Sequence, residues 1–287
     1  MNKDRAKQNV AGTAYLTAWA RALGRRIAGD AANADHLAER VLLPSQRALA
    51  VWPRLTVWLL ERGLPGAVGY FNARTQYFDS VLLREARHGL EQVVILGAGF
   101  DSRSLRLATQ LGSARVFEVD LPGVLRLREQ RLLRGARPVA VAIPVDFEHD
   151  DLAASLDAHG YARTARTVFL WEGVSYYLPV EAVTAILKLV ATHSGPGSGM
   201  LFDYVTRAFV DGDHTTYGAR ELARGWRRLG NVNRFGVDDV AAFAEPLGLR
   251  VESDVDADEL EWRYLLSLPG LRLKPWGCMR VAHIVRA

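Results

Sequence analysis

The chain has 287 residues, of which 49% are hydrophobic and 24% are charged, and its mean hydropathy is near zero. These values exclude a disordered chain and a collagen-like one, and they provide enough apolar surface for a substantial core. The net charge of +4 and the pI near 9.3 are compatible with nucleic-acid binding, but the basic residues are scattered among 32 acidic ones. We therefore expect no nucleic-acid partner.

Membrane, export and metal signals are also missing from the sequence. No apolar run approaches the roughly 18 residues of a membrane span, and Met1–Arg5 leads into mixed polar residues instead of an apolar export segment. Cys278 is the single cysteine, and the seven histidines show no metal-ligand spacing. We expect a cytoplasmic protein with neither a metal nor a membrane partner, and the sequence leaves its oligomeric state open.

Residues 1–89 are predicted to be helical. Tyr15, Leu16, Trp19, Leu23 and Ile27 recur at three- and four-residue steps, which is the apolar stripe of an amphipathic helix. Three further helices are predicted: a short one capped by Asp35 before Pro44, one over Ser45–Glu61 with a possible kink at Pro53, and one over Val68–Arg87.

From residue 92 onward, short apolar runs alternate with helix-length segments. The predicted strands are Gln92–Leu96, Ala114–Val119, Val139–Val145, Thr167–Trp171, Gly199–Tyr204, Leu249–Val255 and Cys278–Val285. Val124–Leu133 and Val180–Thr192 have helical periodicity. This alternation predicts a mainly parallel sheet covered on both faces, so we expect one α/β domain over residues 90–287, with the helical region packed on it.

The turn after the first strand carries the strongest chemical signal. Gly97 and Gly99 would let the backbone approach a ligand, and the next helix would present free amide groups. The second strand ends in Glu118-Val119-Asp120, which places an acid 21 residues after Gly99. An acid at that position usually binds a ribose diol, so a nucleoside ligand is predicted, with Asp120 or Glu118 as its partner.

The residues of the loop after the first strand also favour one kind of nucleoside ligand over another. Ser102 occupies the third glycine position of a dinucleotide site, and Asp101 would repel a pyrophosphate while tolerating an ammonium or a sulfonium group. S-adenosyl-L-methionine fits this pattern better than NAD, although an NAD-dependent oxidoreductase remains an alternative. Asp146 and Phe147 follow the third strand and could frame an adenine ring, while Asp146 could instead cap a helix over Asp150–Leu156.

Several motifs together resemble the leucine carboxyl methyltransferase family, which includes the protein phosphatase methyltransferase and many bacterial small-molecule O-methyltransferases. The resemblance extends over residues 69 to about 205. It is carried by Gly69–Phe71, Ala73–Thr75, Gly97–Arg103 with Arg106-Leu107, Phe117–Pro122, and Glu172-Gly173 with Tyr177-Leu178. It implies a class I methyltransferase with a Rossmann-like sheet of six parallel strands and one antiparallel strand, and S-adenosyl-L-methionine as cofactor.

The resemblance also implies roles for individual residues. Arg74 would pair with the methionine carboxylate of the cofactor, which suits a planar guanidinium. Gly97 and Gly99 would line the methionine moiety, Asp120 would bind the ribose, Asp146 and Phe147 would frame adenine, and Glu172 would lie beside the amino acid end of the cofactor.

The acceptor is expected to be a small organic molecule methylated on oxygen. A carboxylate is favoured because it is ionised at neutral pH and needs no general base, whereas a phenol or hydroxyl acceptor would benefit from one. The candidate catalytic residues are Glu172, Tyr177 and His214, and residues 205–235 are predicted to form a helical lid over the acceptor. A cofactor-binding protein without transferase activity is the remaining alternative.

Overall fold

The computed structural model describes residues 3–134, 138–230, 233–269 and 272–287, with side chains from residue 12 onward. Its centre is a seven-stranded sheet in the order β3-β2-β1-β4-β5-β7-β6. The strands are β1 Gln92–Leu96, β2 Arg115–Asp120, β3 Val141–Pro144, β4 Thr167–Trp171, β5 Gly199–Val205, β6 Leu249–Val255 and β7 Met279–Arg286. Strand β7 is antiparallel to both of its neighbours, and the other pairs are parallel, so the predicted class I methyltransferase sheet is confirmed.

The inner strands are continuous apolar runs because both of their faces are covered. Every residue of β1, β4 and β5 is buried. In the pairing register, Leu96 of β1 lies opposite Val119 of β2 and Trp171 of β4. The carboxyl ends of these three strands are therefore level, and the loops that follow them meet at one edge of the sheet.

Between residue 3, where the described chain begins, and the sheet there are five helices: α1 Lys3–Ala28, α2 Ala38–Val41, α3 Pro44–Leu49, α4 Pro53–Gly63 and α5 Ala67–Ala86. The single kinked helix predicted over Ser45–Glu61 is wrong, since the chain breaks between Leu49 and Pro53 and forms α3 and α4. Pro44 and Pro53 each occupy the first turn of a helix, where a missing amide hydrogen costs nothing.

Asp35 does not cap α2 as predicted. The position before that helix is Leu37, which makes no side-chain capping bond. Asp35 is instead fully buried, where it accepts hydrogen bonds from the Leu37 amide at 3.1 Å and the Ser102 hydroxyl at 2.6 Å, and it lies 3.3 Å from Nε of Arg21. It ties the N-terminal helices to the loop after β1.

In the described part of the chain, nine helices follow β1: α6 Arg103–Arg106, α7 Ala108–Leu111, α8 Pro122–Arg128, α9 Leu152–Ala158, α10 Val180–Thr192, α11 Arg207–Val210, α12 Ala219–Arg228, α13 Val240–Ala244 and α14 Ala257–Tyr264. The helix predicted over Val124–Leu133 is α8 continued by a π-helical turn. Asp151, and not Asp146, caps α9 by accepting the Ala154 amide at 3.0 Å.

The apolar side chains of β1 alternate between two cores, one on each face of the sheet. Val93 and Ile95 pack on the face covered by α1 and α5, whereas Val94 and Leu96 pack on the face covered by α10. Among the described residues, no helix has the length and apolar character needed to cross a bilayer.

Candidate active site

A cavity of about 980 Å³ opens above the carboxyl ends of β1, β2 and β4. Its wall includes all the residues that were predicted to bind the cofactor, namely Arg74, Gly97, Gly99, Asp101, Asp120, Asp146, Phe147 and Glu172. Tyr177, one of the three catalytic candidates, also lines it. The structure therefore brings together residues that lie up to 103 positions apart in the chain, while their individual roles remain predictions.

The turn after β1 leaves room at the cavity wall because two of its residues lack a side chain. Gly97 has φ +68°, and a Cβ atom there would lie 2.4 Å from a methyl group of Val174. Gly99 has φ +43°, and its amide donates to a carboxylate oxygen of Asp120 at 2.7 Å. Both backbone angles favour glycine, and the backbone itself forms this part of the wall.

Asp120 is the strand-end acid that faces the cavity. It is 6% exposed, and its two oxygens accept the amide hydrogens of Gly99 and Leu121 at 2.7 Å each. Burial raises the pKa of Asp120 to about 6, against the opposing effect of those amides and of Arg128. Glu118 points away from the cavity and is bound by Ser104 and Arg128, so it does not share this position.

Arg74 lies at the other side of the glycine turn, between two carboxylates. It is 2% exposed, with Nη1 2.5 Å from Asp203 and Nη2 2.8 Å from Glu172. Glu172 also accepts a hydrogen bond from Arg103 at 2.7 Å. Burial would raise the pKa of Glu172, but Arg74 and Arg103 outweigh it and hold that pKa well below its usual range. Glu172 is thus a carboxylate engaged by two cations and a poor proton acceptor.

Asp203 holds this arrangement in place from the middle of β5. It is fully buried, and it accepts hydrogen bonds from the Tyr70 hydroxyl at 2.8 Å and the Gly173 amide at 2.6 Å, in addition to Arg74. It therefore joins α5, β5 and the loop after β4. An unpaired charge at this depth would be costly, so the position of Arg74 is tightly determined.

The ion pairs beneath the cavity carry an excess of negative charge. Four guanidinium groups face five carboxylates, which leaves one net negative charge when all of them are ionised. The groups are Arg21, Arg74, Arg103 and Arg106, with Asp35, Asp79, Asp101, Glu172 and Asp203. Such a floor favours a ligand with a cationic end and disfavours a phosphate.

His214 is not at the cavity, contrary to its selection as a catalytic candidate. Its ring packs 5.1 Å from that of Phe209, which in turn packs on Trp226, and Trp226 stacks on Tyr176. Two aromatic layers therefore separate His214 from Tyr176, which lines the cavity. His214 contributes instead to a separate cavity of about 340 Å³.

The segment predicted as a lid, residues 205–235, contains α11 and α12, and its final part reaches the cavity. Arg227 and Arg228 in the last turn of α12 line the cavity, as does Arg234. The Arg234 amide donates to the carbonyl of Tyr176 at 3.0 Å, and its guanidinium donates to Glu148 at 3.0 Å. Residues 231 and 232 lie outside the described part of the chain.

Comparison with known proteins identifies the family. The sequence model of the leucine carboxyl methyltransferases matches residues 14–191, which is more than half of the chain. The chain belongs to the leucine carboxyl methyltransferase family. The family predicted from the sequence is thereby confirmed.

Relatives and solved structures agree with this family. The chain is 33% identical over 274 residues to a protein of Mycobacterium sp. (strain KMS) named as a candidate S-adenosyl-L-methionine-dependent methyltransferase, and the match covers 85% of each chain. A Streptomyces coelicolor protein named in the same way is 37% identical over 211 residues, covering 70% of this chain and 67% of that one. The solved structure of a candidate methyltransferase from Thermobifida fusca covers 93% of each chain at 19% identity, with a TM-score of 0.53, and supports the fold.

The cavity suits the cofactor of this family in three respects. The Gly97–Gly99 turn presents bare backbone to the cavity, and a Cβ atom at Gly97 would collide with Val174. Asp120 presents a carboxylate to the same space, and the floor carries net negative charge beneath it. The predicted bond from Arg74 to a cofactor carboxylate needs one adjustment, because both terminal nitrogens of Arg74 already bind Asp203 and Glu172. A ligand carboxylate must therefore either share Arg74 with Glu172 or displace Glu172 from it.

Two site residues were missed by the sequence reasoning. Asp203 is the one charge in β5, Gly-Met-Leu-Phe-Asp-Tyr-Val, and a charge inside an apolar strand signals a buried partner. Arg103 belongs to the Gly97–Arg103 motif, but no role was predicted for it. It is 1% exposed and bound to Asp79, Asp101 and Glu172. Nothing local to Arg103 distinguishes it from the many exposed arginines of this chain.

Proposed function

We propose that this protein, an S-adenosyl-L-methionine-dependent methyltransferase, methylates a carboxylate oxygen of a small organic acceptor in the cytoplasm. The observation that carries the proposal is the composition of the cavity. One part combines Asp120, the glycine turn and the Arg74–Glu172 pair, and another part is bordered by arginines. The first suits a nucleoside with a cationic amino acid end, and the second suits an anionic acceptor.

S-adenosyl-L-methionine supplies a methyl group activated by a sulfonium. The chain's own contribution is to bind, orient and enclose the two reactants, which can lower a barrier by about 7–11 kcal/mol. Asp120 would hold the ribose, and Glu172, fixed by Arg74 and Arg103, would hold the ammonium group. The apolar Val174 and the rings of Tyr176 and Tyr177 would exclude water beside the methyl group.

The acidities of Glu172, Tyr176 and Tyr177 support an acceptor that needs no general base from these residues. Glu172 has its pKa lowered by two arginines, so it takes up a proton poorly. Burial raises the pKa of Tyr176 and of Tyr177 well above the usual tyrosine range, so both phenols stay protonated at neutral pH. A carboxylic acid acceptor is already ionised under those conditions, whereas a phenol is not.

Unpaired arginines at the cavity support an anionic acceptor. Within the described part of the chain, Arg126, Arg227 and Arg228 line the cavity and form no ion pair, whereas Arg234 is neutralised by Glu148. Arg227 and Arg228 lie side by side in the last turn of α12. Their place on the cavity wall makes them the candidates for binding the acceptor.

The test is product chemistry. The purified protein is incubated with labelled S-adenosyl-L-methionine and matched panels of small carboxylic acids and phenols. We expect labelled products only from the acids, and mild alkali should release the label as methanol. At saturating cofactor, the rate should stay level from about pH 6.5 to 9, since the acceptor stays ionised. A base-stable product, or a rate that rises with pH, would move the assignment to a hydroxyl acceptor. Tight NAD binding with no response to S-adenosyl-L-methionine would contradict the methyltransferase itself.

A matched pair of variants tests the acceptor site. Arg227→Gln with Arg228→Gln should raise the acceptor KM at least about tenfold, since charge-assisted bonds to an anion are lost. Arg220→Gln lies in the first turn of the same helix, away from the cavity, and should leave KM unchanged. Cofactor affinity should be unaltered in both. Equal KM values in all three proteins would remove these arginines from acceptor recognition.

A further inference from the structure

The consecutive short helices α3 and α4, with the turn between them, expose large apolar side chains. Six of them are between 47% and 68% exposed, and we call this set the α3–α4 surface: Leu49, Val51, Trp52, Leu55, Trp58 and Leu59. Single exposed apolar residues are ordinary, but a contiguous group of this kind marks an interaction site. None of the six lines the active-site cavity.

Helix α4 is apolar on two sides. Its inner side is accounted for, because Val57 is buried in the core and Leu60 packs against it. Leu55, Trp58 and Leu59 follow the three- and four-residue spacing of a second stripe, which faces outward. Folding of this chain therefore does not explain the outer stripe.

The exposed charges within the α3–α4 segment itself are all of one sign. Within residues 43–64, all of which the structure describes, the exposed charged side chains are Arg47, Arg54 and Arg62. The one acid of the segment, Glu61, is turned inward and accepts the amide hydrogens of Gly66 and Val68 at 2.8 and 3.0 Å. The guanidinium of Arg62 lies 4.7 Å from the ring centre of Trp58, so the two side chains make a cation–π interaction.

We propose that the α3–α4 surface docks on an anionic lipid bilayer. Exposed tryptophan and leucine with flanking arginine, and without acids, is the composition of a segment that lies in the plane of a membrane interface. The arginines meet the negative headgroups, while Trp52 and Trp58 enter the headgroup boundary. A second copy of this chain is a poorer occupant, because a two-fold interface would bring like charges together.

The α3–α4 surface is not a membrane-spanning segment, because it is built from two short helices and a turn. The expectation of no membrane partner rested on spanning segments, and docking at the interface requires none. The proposal is independent of the acceptor. It concerns where the enzyme works, and it would bring the protein to acceptors that partition into or beside a membrane.

The experiment measures co-sedimentation of the full-length protein with vesicles of phosphatidylcholine alone or mixed with phosphatidylglycerol. Wild type should bind the anionic vesicles and lose that binding at high salt. Trp52→Ser with Trp58→Ser should reduce binding at least about tenfold. Arg54→Gln with Arg62→Gln should reduce it by a similar factor, at about fivefold for each basic residue. All four substituted positions are exposed, so circular dichroism and cofactor affinity should not change.

Trp262→Ser is the matched control, since Trp262 is 71% exposed but lies in α14 beside Asp258, Glu259 and Glu261. It should bind vesicles as wild type does. Wild type that ignores anionic vesicles, or that binds neutral ones equally well, would overturn the proposal. A dimer in analytical ultracentrifugation that dissociates in the Trp52→Ser, Trp58→Ser variant would also overturn it, and would assign the surface to a second copy.

Discussion

Replacing Asp120 by asparagine isolates the charge of the carboxylate that faces the cavity. The substitution keeps the shape of the side chain, and one oxygen remains to accept an amide hydrogen from Gly99 or Leu121. The second oxygen becomes an amide group that cannot accept a hydrogen bond. If Asp120 binds the two ribose hydroxyls, one of those bonds is lost and the other becomes a weaker, neutral one.

The size of the effect follows from the burial of the group. Hydrogen bonds to a charged acceptor contribute about 1.5–3 kcal/mol and neutral ones about 0.5–1.5, so losing one and weakening the other should reduce cofactor binding by about 2.5–4.5 kcal/mol, or roughly 70- to 2,000-fold. Stability should change much less. The carboxylate pKa of about 6 corresponds to a burial cost of about 3 kcal/mol relative to its ordinary value of 3.8, and removing this cost offsets the amide left unpaired.

The pH dependence has a definite sign. Folding raises the pKa of Asp120, so this group makes wild type less stable relative to the Asp120→Asn variant as the pH rises from about 4 through 6. Cofactor affinity has the opposite trend, because the ribose needs the ionised carboxylate. Wild-type affinity should therefore fall as the pH drops through about 6, and the variant should lack that component.

Isothermal titration with S-adenosylhomocysteine at pH 5.0–8.0 measures both effects, and thermal unfolding of the free proteins measures stability. Asp157→Asn is the control, since Asp157 lies on α9 in an ion pair with Arg163 and does not line the cavity. It should bind like wild type. A folded Asp120→Asn variant with wild-type affinity at pH 7.5 would refute the assignment of the ribose to this residue.

Substitutions of Arg74, Gly97 and His214 test the other residue assignments. Arg74→Lys keeps the charge but loses the planar fork, so cofactor affinity in calorimetry should fall at least about tenfold, and wild-type affinity would remove Arg74 from the cofactor site. Gly97→Ala should abolish measurable cofactor binding, because the new Cβ atom would collide with Val174. Adding Val174→Ala should restore part of that binding. If Gly97→Ala leaves binding unaffected, the turn does not contact the ligand. His214→Ala should leave kcat within about twofold of wild type, and a tenfold loss would contradict its placement behind Phe209.

The sequence predicted those parts of the molecule whose signals are local. Strands β1 and β4 are recognisable as short apolar runs because both faces are buried. Gly97 and Gly99 are recognisable because only glycine readily takes positive φ at that turn. The parallel topology then aligns the strand ends, which is why the Gly97–Gly99 turn and Asp120 could be predicted to share one site. The prediction that Arg74 and Glu172 join them came from the family resemblance, since Arg74 lies inside helix α5 and not at a strand end.

The parts that the sequence did not predict depend on contacts between distant segments. The partners of Asp203 come from α5 and from the loop after β4, and no spacing in the chain links them. His214 lies in a polar loop that looks accessible in the sequence, and only the packing of Phe209 and Trp226 separates it from the cavity. The helix break before Pro53 was not predicted for a simpler reason. Pro53 was interpreted as a kink inside one helix, whereas it begins a new helix.

The central claim is that the cavity above Gly97 and Gly99 holds S-adenosyl-L-methionine, and a crystal structure with S-adenosylhomocysteine tests it most directly. The ribose hydroxyls should lie within hydrogen-bond distance of Asp120, the adenine beside Phe147, and the amino acid end against Arg74 and Glu172. A ligand bound elsewhere, or one whose ribose contacts another acid, would contradict the claim.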